Sequence, residues 1–205
     1  MITLRRFRRL ERDLRQCRFG HVIDWSEQIA DAADADDFAA RVIYVICNSG
    51  MRASVAGPVY ERCLTALLAG RCTAEVFGHR GKAAAIDQVW SARETLFDGY
   101  RAANGKLEFL GSLPWIGPIT KHHLAKNLGD DTAKPDVHLT RLAKRDRTSV
   151  LELCRRLARL SGYRVATVDT ILWRACAERI LDSKLYELEG WRAGYRGTLT
   201  MSPRI

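Results

Sequence analysis

The chain has 205 residues, enough for one domain, or one domain with a short appendage, and for a sizeable core. Its 33 Lys and Arg against 24 Asp and Glu leave a net charge of +9, which points to a polyanionic partner, with nucleic acid the first candidate. No run of about 18 apolar residues is present to span a membrane; arginines replace the apolar core of a signal peptide; and six scattered cysteines without a CxxC pair fit a reducing compartment and argue against zinc or an iron–sulfur cluster.

Charge is uneven along the chain. Residues 1–20 carry seven Arg and two acids, a local +5, and residues 21–40 carry six acids and no Lys or Arg. The two blocks can pair with each other. Phe38, Val42, Val45 and Ile46 recur at helical spacing up to the break Asn48-Ser49-Gly50. Val55 to Leu68 continues as a second helix closed by Gly70, and Ala83 to Tyr100 reads as a third. Val150–Leu160 and Thr167–Leu181 are further helices, capped by Thr148 or Ser149 and by Thr167. The tail from Gly190 is Gly-rich, basic and irregular. No segment sustains a period of two. The expected fold is therefore all-α, with roughly eight helices. The expected organisation is a basic helix and acidic segment over 1–35, a core over 36–185 and a tail over 186–205.

Residues 107–145 carry the most information. An apolar run meets Leu113-Pro114-Trp115-Ile116-Gly117-Pro118, and Ile119, Leu124 and Leu128 follow at helical spacing. Two short helices joined by a tight hairpin, spanning 107–129, fit this pattern. The second helix would begin near Pro118, with its first amides available to an anion. Thr120, Lys121, His122, His123 and Lys126 follow with almost no acid to oppose them, which suits a DNA phosphate. Next comes a loop over 130–138, in which Pro135 keeps Lys134 extended and Asp136 caps a helix Val137–Lys144. By spacing alone, Asp136 is an N-cap.

The hairpin Leu113–Gly129 followed by Lys134-Pro135-Asp136-Val137-His138 resembles the helix-hairpin-helix plus Gly/Pro-Asp signature of the HhH-GPD superfamily of base-excision DNA glycosylases. Ile46–Ala53 resembles the helix-loop-helix that these enzymes push into the minor groove. Phe77–Ala83 resembles the family's Gly-Tyr/Phe-x-x-Lys-Ala turn, and Thr167–Trp173 its closing helix. The resemblance covers about residues 36–181. Three departures stand out. Trp115 replaces the first hairpin glycine, Ile119 stands where members with lyase activity carry lysine, and the four-cysteine cluster of some members is missing.

The resemblance implies a two-lobed helical enzyme that flips one nucleotide out of double-stranded DNA and hydrolyses its N-glycosidic bond. Asp136 would stabilise the oxocarbenium-like sugar and position water. The hairpin at Trp115, Gly117, Ile119 and Thr120 would hold a backbone phosphate, with Lys82, Lys121 and Lys126 adding charge. Asn48, Ser49, Met51 and Arg52 would form the wedge that fills the gap left by the flipped base. Tyr44, Trp90, Trp173, His138 and Asp169 are pocket candidates, set against core, capping or ion-pair roles. With Ile119 at the lyase position a monofunctional hydrolase is expected, the alternatives being a lyase using Lys121 or Lys134 and a non-catalytic DNA-binding protein. No cofactor or metal is expected beyond a structural monovalent cation at the hairpin. A monomer without a membrane partner, in the cytoplasm, completes the expectation. The N-terminal arginines would be an additional DNA clamp or the partner of residues 21–40.

Overall fold

The structure, a computed structural model, describes residues 1–198. In chain order its helices are α1 (Leu4–Gln16), α2 (Gly20–Gln28), α3 (Ala35–Asn48), α4 (Ala53–Leu68), α5 (Arg80–Ser91), α6 (Arg93–Ala102), α7 (Lys106–Ser112), α8 (Thr120–Asn127), α9 (Val137–Asp146), α10 (Val150–Ser161), α11 (Val165–Ala177), α12 (Ser183–Glu189) and α13 (Trp191–Gly194), with a 3-10 turn at Thr73–Glu75. No strand occurs among the described residues, and the expected all-α class is observed. No helix there is long and apolar enough to cross a membrane.

Several helix starts are fixed by side chains that accept otherwise orphaned amide protons. Thr3 accepts from Arg6, Asp34 from Asp37, Asp136 from Leu139 and Ser149 from Glu152. Of the two residues proposed to cap α10, Ser149 is the one that does so. Thr167 is no cap: α11 begins at Val165, and Thr167 is buried within its first turn. The single helix expected over 83–100 is two, broken at Ala92.

The chain forms two compact units. One combines residues 1–29 with the chain from 131 onward, and the other is 30–130. These differ from the contiguous blocks 1–35, 36–185 and 186–205. In the first unit, Phe7, Leu10 and Leu14 of α1 join Leu139, Leu142, Leu153, Leu157, Ile171 and Tyr186 in one buried core. Asp146 ties this core together: its carboxylate accepts from the Ile2 amide at 2.8 Å and from the Tyr186 hydroxyl at 2.6 Å. Within the tail expected to be irregular, Trp191–Gly194 forms the short helix α13. Tyr195 bridges to Leu181, and Gly194 lies so close to Tyr186 that a methyl group there would sit 2.9 Å from its backbone. Residues 199–205 lie outside the described residues.

In the 30–130 unit, α3 packs against α4, α5, α6 and α8. Phe38, Val42 and Ile46 of α3 meet Cys63, Ile86, Val89, Leu110, Leu124 and Leu128. The acidic block mostly finds partners other than the N-terminal arginines. Asp36 pairs with Arg93, and Asp37 with Arg41 at 2.7 Å, while among the described residues only Asp24 pairs with an N-terminal arginine, Arg15, at 3.0 Å. No disulfide joins any of the six cysteines, and burial pushes the Cys47 thiol up to about 12.

Candidate nucleic-acid interface and catalytic carboxylate

The hairpin between α7 and α8 is built on a reverse turn. The Ile116 amide donates to the Leu113 carbonyl at 3.1 Å, Pro114 is the second residue, and Trp115 is the third with φ +65°. That is the arrangement of a type II turn, whose third residue needs the left-handed region and is ordinarily glycine. Tryptophan there costs on the order of 1–2 kcal/mol. Its side chain supplies compensating contacts. Trp115 Nε1 donates to Ser49 Oγ at 3.2 Å, and the indole meets the His79 ring edge-on at 5.2 Å. The ring covers Gly81 so closely that a methyl group on Gly81 would lie 2.8 Å from it. Trp115 is nevertheless 45% exposed. Three segments separated in sequence thus converge on one exposed indole: the α3–α4 loop, the turn before α5, and the hairpin.

Gly81→Ala is expected to destabilise the protein by roughly 1–3 kcal/mol through overpacking. In a Trp115→Gly background the same change should cost almost nothing, since the ring is gone. Thermal melts of the four proteins in this cycle give the coupling directly. Equal penalties in both backgrounds would show that the ring does not rest on Gly81.

The other predicted contacts divide. The Trp115 and Ile119 amides have no hydrogen-bond partner among the described residues, and the Ile119 side chain is exposed. The Gly117 amide is already taken, donating to Thr120 Oγ1 at 2.7 Å. Lys121 is half-buried, its stem lying along Gly111. Lys126 is buried, 8% exposed, and so is not a solvent-facing phosphate contact. Lys82 is a clearer correction. It is only 3% exposed, and its Nζ donates to the carbonyls of Cys47 at 3.2 Å and Ser49 at 2.5 Å, where α3 ends. Burial lowers its pKa. Lys82 is a pin under the loop, not a cation offered to DNA. In that loop Asn48 donates to the Tyr44 carbonyl, Met51 packs against the core instead of projecting, and Arg52 is exposed. Tyr44 is half-buried, edge-on to Tyr60 at 5.5 Å, and Trp90 lies against the core with the Arg93 guanidinium 4.6 Å from its ring centre. His79 and Tyr60 join these residues without a signal in the sequence. The Phe77–Ala83 motif contains His79, but nothing in its spacing marks a ring partner for Trp115.

In the unit containing the chain termini, Asp136 is half-buried at the start of α9. Its Oδ1 accepts from the Leu139 amide at 2.9 Å, so it is the N-cap that spacing alone predicts. The other carboxylate oxygen accepts no hydrogen bond among the described residues. The loop that presents it is anchored. The Asp136 amide donates to the Lys134 carbonyl at 2.8 Å, and the Lys134 amide donates to Asp169 Oδ2 at 2.7 Å. Asp169 is 2% exposed, which makes it a buried holder of this loop and not an open pocket acid. His138 Nδ1 lies 2.9 Å from Ser183 Oγ, a packed and hydrogen-bonded histidine. Trp173 is half-buried beneath the Arg174 guanidinium. The buried Cys176 thiol is pushed up by burial first and then by the negative charges of Asp136 and Asp182. No group of three or more His, Cys, Asp or Glu converges on a metal-sized site among the described residues. Compared with protein-family models, with curated proteins and with solved structures, the chain has no match.

Proposed function

We propose that the chain is a DNA glycosylase of the helix-hairpin-helix type, which flips a damaged, mismatched or modified base out of duplex DNA and hydrolyses its N-glycosidic bond. The observation that carries this reading is the left-handed backbone of Trp115 between α7 and α8. The position where the resembled family places glycine keeps a glycine's conformation although the side chain is the largest available. The unpartnered amides of Trp115 and Ile119 are suited to a backbone phosphate. Asp136 adds the chemistry. The glycosidic bond breaks with its electron pair leaving on the base, and positive charge develops on the sugar. The second Asp136 oxygen, not used in capping, would stabilise that charge. Water then adds its oxygen to the sugar carbon, and its proton is taken up by the carboxylate or the departing base. Ile119 has no amine, so the step is hydrolytic and no Schiff base forms.

The test is a panel of duplex oligonucleotides carrying alkylated, deaminated, oxidised or mismatched bases, scored for abasic sites, with borohydride added in parallel. Abasic sites without a trapped adduct are expected. A trapped adduct would move the assignment to a lyase using Lys121 or Lys134. Duplex binding without abasic sites on any substrate would leave a non-catalytic DNA-binding protein.

A further inference from the structure

The N-terminal arginines lie outside the hairpin and the Asp136 loop, and their arrangement on α1 is specific. Phe7, Leu10 and Leu14 are fully buried, which fixes how the helix is turned. Arg5, Arg8, Arg9 and Arg12 stand at i, i+3, i+4 and i+7, and all are exposed on the other side. Two of them are held by aromatic rings of their own unit. The Arg8 guanidinium lies 5.2 Å from the Tyr163 ring centre and donates to the Ser161 carbonyl. The Arg9 guanidinium lies 4.4 Å from that of Tyr195 and donates to its hydroxyl at 2.8 Å. The two acids of the helix are engaged at its flanks. Glu11 accepts from Tyr163, Arg8 and Arg15, and Asp13, 8% exposed, accepts from Tyr195 at 2.6 Å. Neither neutralises Arg5 or Arg12, which make no ion pair among the described residues.

We infer that this arginine stripe binds the phosphate backbone of duplex DNA, whether or not the chain excises a base. The stripe spans about 10 Å along the helix axis, at roughly 1.5 Å per residue. Duplex DNA presents one negative charge per about 1.7 Å of its axis, so several phosphates fall within that reach. Guanidinium groups pair with phosphate oxygens through two parallel hydrogen bonds, and stacking on Tyr163 and Tyr195 orients two of them beforehand. A membrane surface is the other polyanion to consider. An interfacial helix needs an apolar face to insert, and the apolar face of α1 is consumed by the core.

The experiment follows binding of the full chain to an undamaged fluorescent duplex by anisotropy, from about 50 to 200 mM salt. Arg5→Ala/Arg12→Ala should weaken binding on the order of tenfold and flatten the slope of log affinity against log salt by about 2, near 0.9 per lost phosphate contact. Its melting temperature should be unchanged, because both side chains are exposed. Unchanged affinity and slope overturn the inference, and so does a wild-type chain that does not bind the duplex. Loss of binding to phosphatidylserine vesicles with duplex binding intact overturns it in favour of a membrane. Excision assayed on the same preparations separates this inference from the glycosylase assignment. The stripe stands if the double variant loses affinity while the wild type excises nothing, and falls if affinity is unchanged while the wild type excises.

Discussion

Asp136→Asn is expected to abolish base excision while leaving folding and DNA affinity intact. The two oxygens of the Asp136 carboxylate would have separate tasks. Oδ1 caps α9 through the Leu139 amide. Asparagine caps a helix about as well as aspartate, so that bond survives the substitution. If the chain is a glycosylase, what is lost is the negative charge proposed to stand beside the developing sugar cation. Removing one preorganised electrostatic partner of a transition state costs about 2.7–4 kcal/mol, a fall of 10²–10³ in rate. Loss of the whole carboxylate charge proposed to face an oxocarbenium ion would belong at or beyond the upper end. Asp136→Ala should lose excision equally and also about 1 kcal/mol of stability, since alanine cannot cap. The pair of variants therefore separates the two tasks. An Asp136→Asn protein that excises at the wild-type rate would reduce Asp136 to its capping role.

Local chemistry made parts of this structure legible. Asp136 and Ser149 cap where short polar side chains precede apolar periodicity, and Gly70 closes α4 with a left-handed φ of 71°. Leu113-Pro114-Trp115 is a turn in any reading because proline fixes its second position. The break at Ala92 was not legible. The apolar period runs through it without Gly or Pro, and the interruption is tertiary. Arg93 turns back to donate to the Trp90 carbonyl and pairs with Asp36 on α3. The C-terminal segment misled for a related reason. Its glycines look like loop composition, yet Gly194 is small because Tyr186 occupies the space a side chain would need. The two units were hidden as well, because residues 1–29 join the later part of the chain through contacts such as the Ile2 amide with Asp146, 144 residues apart. At the candidate site the backbone could be foreseen, but the surroundings of single side chains could not.

Lys82 shows this most sharply, and substitution distinguishes its two roles. A lysine contacting phosphate would, when changed to methionine, lower DNA affinity and the salt slope while leaving stability unaltered. A buried pin behaves differently. Lys82→Met keeps the apolar stem but removes the ammonium from the carbonyls of Cys47 and Ser49. Each hydrogen bond to a charged group contributes about 1.5–3 kcal/mol, and a carbonyl left buried without a donor costs about 1–3 kcal/mol. Against that stands the relief of burying an ammonium, the same burial that lowers its pKa. The balance is a loss of roughly 3 kcal/mol, or about 6–12 °C in Tm for a chain of this size. The effect should reach the hairpin. Ser49 is held through its carbonyl by Lys82 and through its hydroxyl by Trp115, so a loosened Ser49 removes a hydrogen bond that helps keep tryptophan in the left-handed turn. Lys82→Met should therefore weaken the coupling between Gly81 and Trp115 as well as lower Tm. A variant that melts like the wild type but binds DNA more weakly would return Lys82 to a surface, phosphate-contacting role.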